Sequence, residues 1–112
     1  MEFYCHMYFS EDLRNKKARI IRGFKQNRLR PDLYLITLAQ GSQNQLEFFS
    51  GLLLKQKIFR TEDLFVVGVA SGYDEALYLT EEIVGEVCKK TKTAKVRQYI
   101  LQEQAAYMEG KG

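Results

Sequence analysis

The sequence predicts a two-layer α/β domain of the α+β type, with helices packed on a mixed or mostly antiparallel four-stranded sheet. Segments with the period of strands alternate with segments of helical period, in the order strand, helix, strand, strand, short helix, strand, helix, helix. The composition, 46% hydrophobic and 28% charged, is typical of a globular domain. The 112 residues are therefore predicted to form a single domain, 1–112, with a frayed tail at 109–112.

The first strand is predicted from a clean alternation over residues 2–9. A period of two places alternate side chains on opposite faces of a strand, and it predicts here a strand with one face in the core. One face carries Phe3, Cys5, Met7 and Phe9, and the other carries Tyr4, His6 and Tyr8.

A basic amphipathic helix is predicted over residues 11–30, with Ser10 as its N-cap and Pro31 as its stop. Eight of the 17 lysines and arginines of the chain fall in this window. A narrow apolar stripe at helical spacing is predicted to face the sheet. Its members are Leu13, Ile20, Ile21 and Phe24.

The middle of the chain is predicted to supply the other three strands. Residues 33–39 and 64–70 are apolar at nearly every position, which indicates strands covered on both faces. Polar residues 40–44 predict a turn, after which residues 45–49 return as the second strand of a hairpin. Residues 52–59 are predicted to form a short helix.

A long helix is predicted from Asp74 to Lys92, after a capping box formed by Ser71 and Asp74. It is expected on the same face of the sheet as the basic helix. A final helix follows Thr93. The predicted buried face of the long helix consists of Ala76, Leu77, Thr80, Ile83, Val84, Val87 and Cys88. In the last helix, Val96, Ile100 and Tyr107 are predicted to share a face.

Three stretches of the chain, LYLITLA at 33–39, QLEFF at 45–49 and FVVGVASGYDEA at 65–76, carry a resemblance to known proteins. They resemble small uncharacterised α/β proteins of Gram-positive gut bacteria, which are often carried on mobile elements. The resemblance spans nearly the whole chain. It implies no assigned activity and no functional residues.

The basic helix is the first candidate binding site. Lysines and arginines that neutralise phosphates release counterions, so that such a surface favours nucleic acid or other acidic partners. The alternative interpretation is a solvated outer face whose long cationic side chains cover the rim of the sheet. The candidate nucleic-acid contacts are Arg14, Lys16, Arg19, Arg22, Lys25 and Arg30.

A second candidate is a ligand pocket near residues 71–74, where a strand ends and a helix begins. Asp74 and Glu75 would repel an anion there, and no glycine-rich phosphate loop or Walker lysine is present, so structural capping is the favoured interpretation. His6 is the only histidine, and it could act as a general base only beside a carboxylate that the fold supplies. The pocket candidates are His6, Ser71, Gly72, Tyr73 and Asp74.

The leading prediction is a non-catalytic binding or accessory protein of the cytoplasm that acts through protein contacts, as a homodimer or with another protein. Exposed aromatic surface favours partners, and it is expected from Tyr4, Tyr8, Phe48, Phe49 and Phe59. One alternative is non-specific nucleic-acid binding by residues 11–30, and another is a small hydrolase or transferase that uses His6. No catalytic residue, metal ligand, cofactor or membrane partner is predicted.

Overall fold

The computed structural model describes residues 1–26, 32–39, 45–55 and 64–111. Its four strands are β1 (Glu2–Phe9), β2 (Tyr34–Leu38), β3 (Leu46–Ser50) and β4 (Phe65–Ala70). The α-helices are α1 (Lys17–Lys25), α2 (Tyr73–Thr91) and α3 (Val96–Lys111), and two 3-10 helices cover Glu11–Lys16 and Gly51–Lys55.

The four strands form one mixed sheet in the order β1-β4-β2-β3. β1 and β4 are parallel, whereas β2 is antiparallel to both β4 and β3. The predicted hairpin is confirmed: Leu35 is paired with Phe49, and the Ala39 amide donates to the Gln45 carbonyl at 3.2 Å. Its turn, residues 40–44, lies outside the described residues. The predicted α+β class and mixed four-stranded sheet are confirmed.

The two long helices cover one face of the sheet. Apolar side chains at spacings of three and four residues give α2 a continuous buried stripe, which is the spacing of one helix face. It packs with Val96 and Ile100 of α3 against Ile36 and Val67 of the sheet. The buried residues of α2 are Ala76, Leu79, Ile83 and Val87. Leu77, predicted in this face, is exposed, and Leu79 takes its place.

The basic segment covers the opposite face. Leu13, Ile20 and Phe24 pack against a separate set of sheet residues that includes Leu35 and Val69. The expectation that the basic helix and the long helix share a face is therefore wrong. The inner strands β2 and β4 are apolar on both sides, so each face needs a cover.

β1 is an edge strand that is covered on both faces, rather than on the one face predicted. Tyr4 packs among the residues below α2 and α3, whereas Phe9 packs below the basic segment. The β1–β4 register shifts between Phe3 and Tyr8. In this interval Gln104 of α3 accepts a hydrogen bond from the Cys5 amide at 2.7 Å and donates one to the Phe3 carbonyl at 3.4 Å. A helix side chain thus bonds the strand backbone where the ladder is interrupted.

α3 crosses the sheet from one edge towards the other. At its start, the Arg97 amide donates to the Gln45 side chain at 3.0 Å, and the Arg97 guanidinium donates to the Ala39 carbonyl at 2.7 Å. These two partners, Gln45 and Ala39, lie in the sequence on either side of the hairpin turn. Gln104, by contrast, bonds the edge strand on the other side of the sheet, β1. α3 continues to Lys111, so residues 109–111, where the sequence predicts fraying, are helical.

Neither predicted cap forms. Ser10 precedes the 3-10 helix but makes no side-chain cap; its hydroxyl donates instead to Asp12 at 2.9 Å. The predicted capping box at Ser71 is wrong as well, because the N-cap of α2 is Gly72. The Ser71 amide donates to the Ser10 hydroxyl oxygen at 3.2 Å, so that this serine joins β1 to the start of α2. At Ser10, one local partner, Asp12, and one distant partner, the Ser71 amide, take the place of the predicted cap.

Candidate binding surfaces

The structure divides the predicted pocket residues among three places. His6 is exposed on β1, and its ring lies edge-on to Tyr4 at 5.6 Å and to Tyr107 of α3 at 5.9 Å between centroids. Neither Asp74 nor Glu75 is among its contacts in the described part of the chain. Neither of these two carboxylates is therefore placed to act together with the histidine in general acid–base catalysis.

Ser71 lies in a small polar cluster at the carboxyl ends of the parallel strands β1 and β4. Its amide donates to Ser10, and both serine hydroxyls donate to the Asp12 carboxylate. The hydrogen bond from Ser71 is the main reason that the pKa of Asp12 is lowered, and the bond from Ser10 adds to it. The cluster connects the end of β1, the following 3-10 helix and the start of α2, and its polar groups form hydrogen bonds with one another.

Tyr73 belongs to a third place, over the hairpin. Its ring contacts Phe48 at 5.5 Å and Tyr34 at 6.1 Å between centroids. Asp74 is exposed on the next position of α2, and Gly72 has an extended backbone (φ −178°) that any residue adopts. Residues 71–74 therefore make structural contacts in two directions and do not share a site with His6.

A polar network lies between β1, α2 and α3. The Tyr8 hydroxyl bonds the Glu86 carboxylate, which also pairs with Lys90 at 3.1 Å. Lys90 in turn lies over the Tyr99 ring at 5.9 Å. Burial, followed by the charge of Glu86, raises the pKa of Tyr8 to about 12. The network connects the half-buried Tyr8 to the exposed Lys90 through the Glu86 carboxylate.

The basic segment presents a strongly cationic surface, which we call the basic surface. Its six cations are exposed, and within the described residues none forms an ion pair with a carboxylate. Two of them contact rings of β1 instead: Lys17 lies 5.6 Å from the Phe9 centroid and Lys25 lies 5.9 Å from that of Phe3. Arg30, also predicted here, lies outside the described residues. The basic surface consists of Arg14, Lys16, Lys17, Arg19, Arg22 and Lys25.

The aromatic residues expected to be exposed are largely covered. Tyr4 is 4% exposed, which makes it a core residue, and Tyr8, Phe48 and Phe49 are half-buried. Phe59 lies outside the described residues. The exposed large apolar side chains belong to other positions, because β1 and the hairpin are covered by α2 and α3. They include Leu52, Tyr73, Leu77, Tyr78, Leu101, Tyr107 and Met108.

α3 carries a second apolar face that sequence reasoning missed. Leu101, Ala105 and Met108 recur at spacings of four and three residues, and all three are exposed. On a helix, this spacing aligns them in one stripe, roughly opposite the buried pair Val96 and Ile100. We call Leu101, Ala105 and Met108 the outer stripe. Its periodicity is visible in the sequence, although only the face shared by Val96, Ile100 and Tyr107 is predicted there.

Neither a family model, nor a curated protein, nor a solved structure matches this chain. Within the described residues, no three histidine, cysteine or acidic side chains are grouped so as to hold a metal ion. The helices described here all lack the length and apolar character needed to cross a membrane. Function is therefore inferred from the surfaces of the molecule.

Proposed function

We propose that this chain is a non-catalytic binding protein that acts through protein contacts, beginning with contact between two copies of itself through the outer stripe of α3. The observation that carries this proposal is the pair of opposite apolar faces on one helix. Val96 and Ile100 are buried in the sheet face, whereas Leu101 and Met108 are 43% and 60% exposed. A helix that is apolar on two sides is typically covered on both.

A second copy fits the outer stripe because the stripe is self-complementary. Antiparallel pairing of two α3 helices, centred near Ala105, places the Leu101 end of each stripe against the Met108 end of the other. The small side chain of Ala105 lets the two helix axes approach closely at the crossing. Such a contact is isologous, and the twofold dimer it forms is closed.

The outer stripe can be tested by comparing two equivalent substitutions. Leu101→Glu places a charge in the stripe, whereas Leu77→Glu makes the same change at a leucine of similar exposure on α2, 39% against 43%. We expect the unmodified protein and Leu77→Glu to be dimers at micromolar concentration by light scattering, and Leu101→Glu to be a monomer with unchanged circular dichroism. A strict monomer for the unmodified protein would contradict self-association, and a dimer of Leu101→Glu would exclude the outer stripe.

The basic surface favours a second function, the non-specific binding of nucleic acid. Six exposed cations, none of them ion-paired with another described residue, can all contact phosphates, and neutralising about four would give a log–log salt slope near −3.6 on duplex DNA. Affinity is expected at ~10⁻⁴ to 10⁻⁶ M at physiological salt and independent of sequence.

Charge reversal separates this function from a general effect of net charge. Arg19, Arg22 and Lys25 changed together to Glu should abolish binding of a duplex in fluorescence anisotropy. The same change at Lys89, Lys92 and Lys95, which are exposed near the α2–α3 junction, should leave most of it. Equal losses in the two variants would show that net charge alone is responsible, and submicromolar sequence-selective binding would make nucleic-acid recognition the main function.

A further inference from the structure

A pocket of about 370 Å³ lies beside α1, between the helix and the start of β2. Ile20, Phe24 and Leu33 form its apolar floor, and all three belong to the core below the basic segment. The pocket is large enough for a small ligand, since ligand sites typically occupy a few hundred cubic ångströms and are mostly apolar. The pocket therefore borders one edge of the narrow apolar stripe of α1.

Two guanidinium groups border this apolar floor. Arg19 and Arg22 both line the pocket, and a separation of three residues makes them neighbours on the helix surface. Both are exposed, and no carboxylate pairs with either of them in the described part of the chain. Gly23 also lines the pocket, although glycine is a poor choice for a helix interior.

We infer that this pocket binds a small organic anion with an apolar body, such as an aryl or short-chain carboxylate or sulfonate. Charge complementarity selects the anionic group, because arginine presents a fork of N–H donors that matches planar or tetrahedral oxyanions. The apolar floor selects the body of the ligand, since its burial removes apolar surface from water. A bare inorganic anion would use only the arginines, and a neutral hydrocarbon only the floor.

The probe for this site is naphthalene-2-sulfonate, titrated into the isotopically labelled full-length chain and followed by amide NMR shifts. Inorganic sulfate supplies the anion alone, and naphthalene-2-sulfonamide supplies a neutral body of nearly the same shape. We expect saturable shifts centred on residues 19–26 and 33. Each comparison ligand should bind at least about tenfold more weakly, since a charge-assisted hydrogen bond or a buried ring contributes about that factor.

Two matched double variants separate the pocket from the surrounding charge. Arg19→Gln with Arg22→Gln should weaken binding of naphthalene-2-sulfonate about tenfold or more, because both charged donors are lost. Lys16→Gln with Lys17→Gln removes the same charge from neighbouring exposed positions and should leave the Kd within about twofold. Thermal unfolding of both variants should remain cooperative, because all four side chains are exposed.

Four results would overturn the inference. Shifts spread over the whole basic surface, or equal weakening in the two double variants, would show that the sulfonate binds to diffuse charge. Sulfate as tight as the naphthalene compound would show that the apolar floor contributes nothing. A dT oligonucleotide that moves the same amides at lower concentration would assign the pocket to the nucleic-acid surface, independently of whether α3 mediates self-association.

Discussion

The two faces of the sheet are covered in different ways. On one face, α2 and α3, helices of 19 and 16 residues, pack with the sheet into one cluster of buried side chains. On the other face, α1 has 9 residues and follows a 3-10 helix of 6 residues, and their buried residues are Leu13, Ile20 and Phe24. The first cover is broad and the second is a single apolar line.

The difference in width between the two covers gives the two faces of the molecule different outer surfaces. A narrow apolar line leaves the rest of α1 free to carry cations, and it leaves a pocket of about 370 Å³ beside Arg19 and Arg22. The broad cover closes its face of the sheet, and its outward surface instead carries the apolar outer stripe. We therefore expect the α2–α3 face to hold most of the stability, and the basic surface to tolerate change.

The largest expected effect compares one isoleucine from each face. Ile83→Ala, from the α2 cover, should lower the free energy of unfolding by about 3–5 kcal/mol, because a fully buried side chain leaves a cavity. Ile20→Ala, from the basic face, should lower it by only about 2–3 kcal/mol, because Ile20 already borders a pocket and has fewer contacts to lose. Urea denaturation followed by circular dichroism measures both. Equal losses would mean that the two covers are equally well packed.

The junction between β1, β4 and α2 provides the next test. A Cβ atom at Gly68 would lie 3.1 Å from the Tyr8 carbonyl oxygen and 3.4 Å from the Leu79 side chain. Gly68→Ala should therefore lower the free energy of unfolding by about 1–3 kcal/mol through overpacking.

The control is Gly85→Ala in α2, where nothing lies within 4 Å of the added methyl group. It should raise the free energy of unfolding by about 0.5–1 kcal/mol, because alanine is the better helix former. The two glycine substitutions are measured under the same denaturation conditions. A stabilising Gly68→Ala would show that β1 and α2 can separate at this point, and that the α2–α3 face is less rigid than the comparison implies.

The hydrogen bonds of α3 to the edge strand β1 should contribute a similar amount to the free energy of unfolding. Gln104→Ala removes the acceptor of the Cys5 amide and the donor to the Phe3 carbonyl, and it should lower the free energy of unfolding by about 1–3 kcal/mol. Gln102→Ala, on the exposed side of the same helix, should change it by less than about 0.5 kcal/mol. Amide hydrogen exchange at Cys5 should be faster in the first variant alone. Unchanged exchange there would indicate that water replaces the glutamine without loss.

The smallest effect concerns the start of the basic segment and depends on pH. The pKa of Asp12 is lowered from 3.8 in the folded protein, chiefly by the Ser71 hydrogen bond, so its ionised form stabilises the fold. That contribution is fully present above pH 3.8 and is lost as the pH falls through the lower folded-state pKa. Asp12→Asn should thus be less stable than the unmodified protein at pH 6, and the difference should shrink below pH 3.8 in urea denaturation. A difference that persists at pH 2 would point to packing rather than charge.

Several elements were predictable because their signals are local. Three local patterns correspond to observed elements. They are the alternation in residues 2–9, the apolar runs at 33–39 and 64–70, and the stripe of Leu13, Ile20 and Phe24. Each depends on the period of one backbone conformation, which a short window contains. The cationic character of the basic surface was equally plain, because charge is a property of composition.

The sequence by itself determined the α+β class, the hairpin, the long helix and the exposed cations, since periodicity and charge are local quantities. Only the tertiary structure decided that the basic segment and α2 lie on opposite faces, that Ser10 and Ser71 bond each other rather than cap helices, and that His6 contacts Tyr107 instead of a carboxylate. These outcomes depend on which elements meet across long sequence separations, and no local pattern encodes that. The outer stripe belongs to both: its spacing was readable, but its exposure depended on which side of α3 the sheet buried.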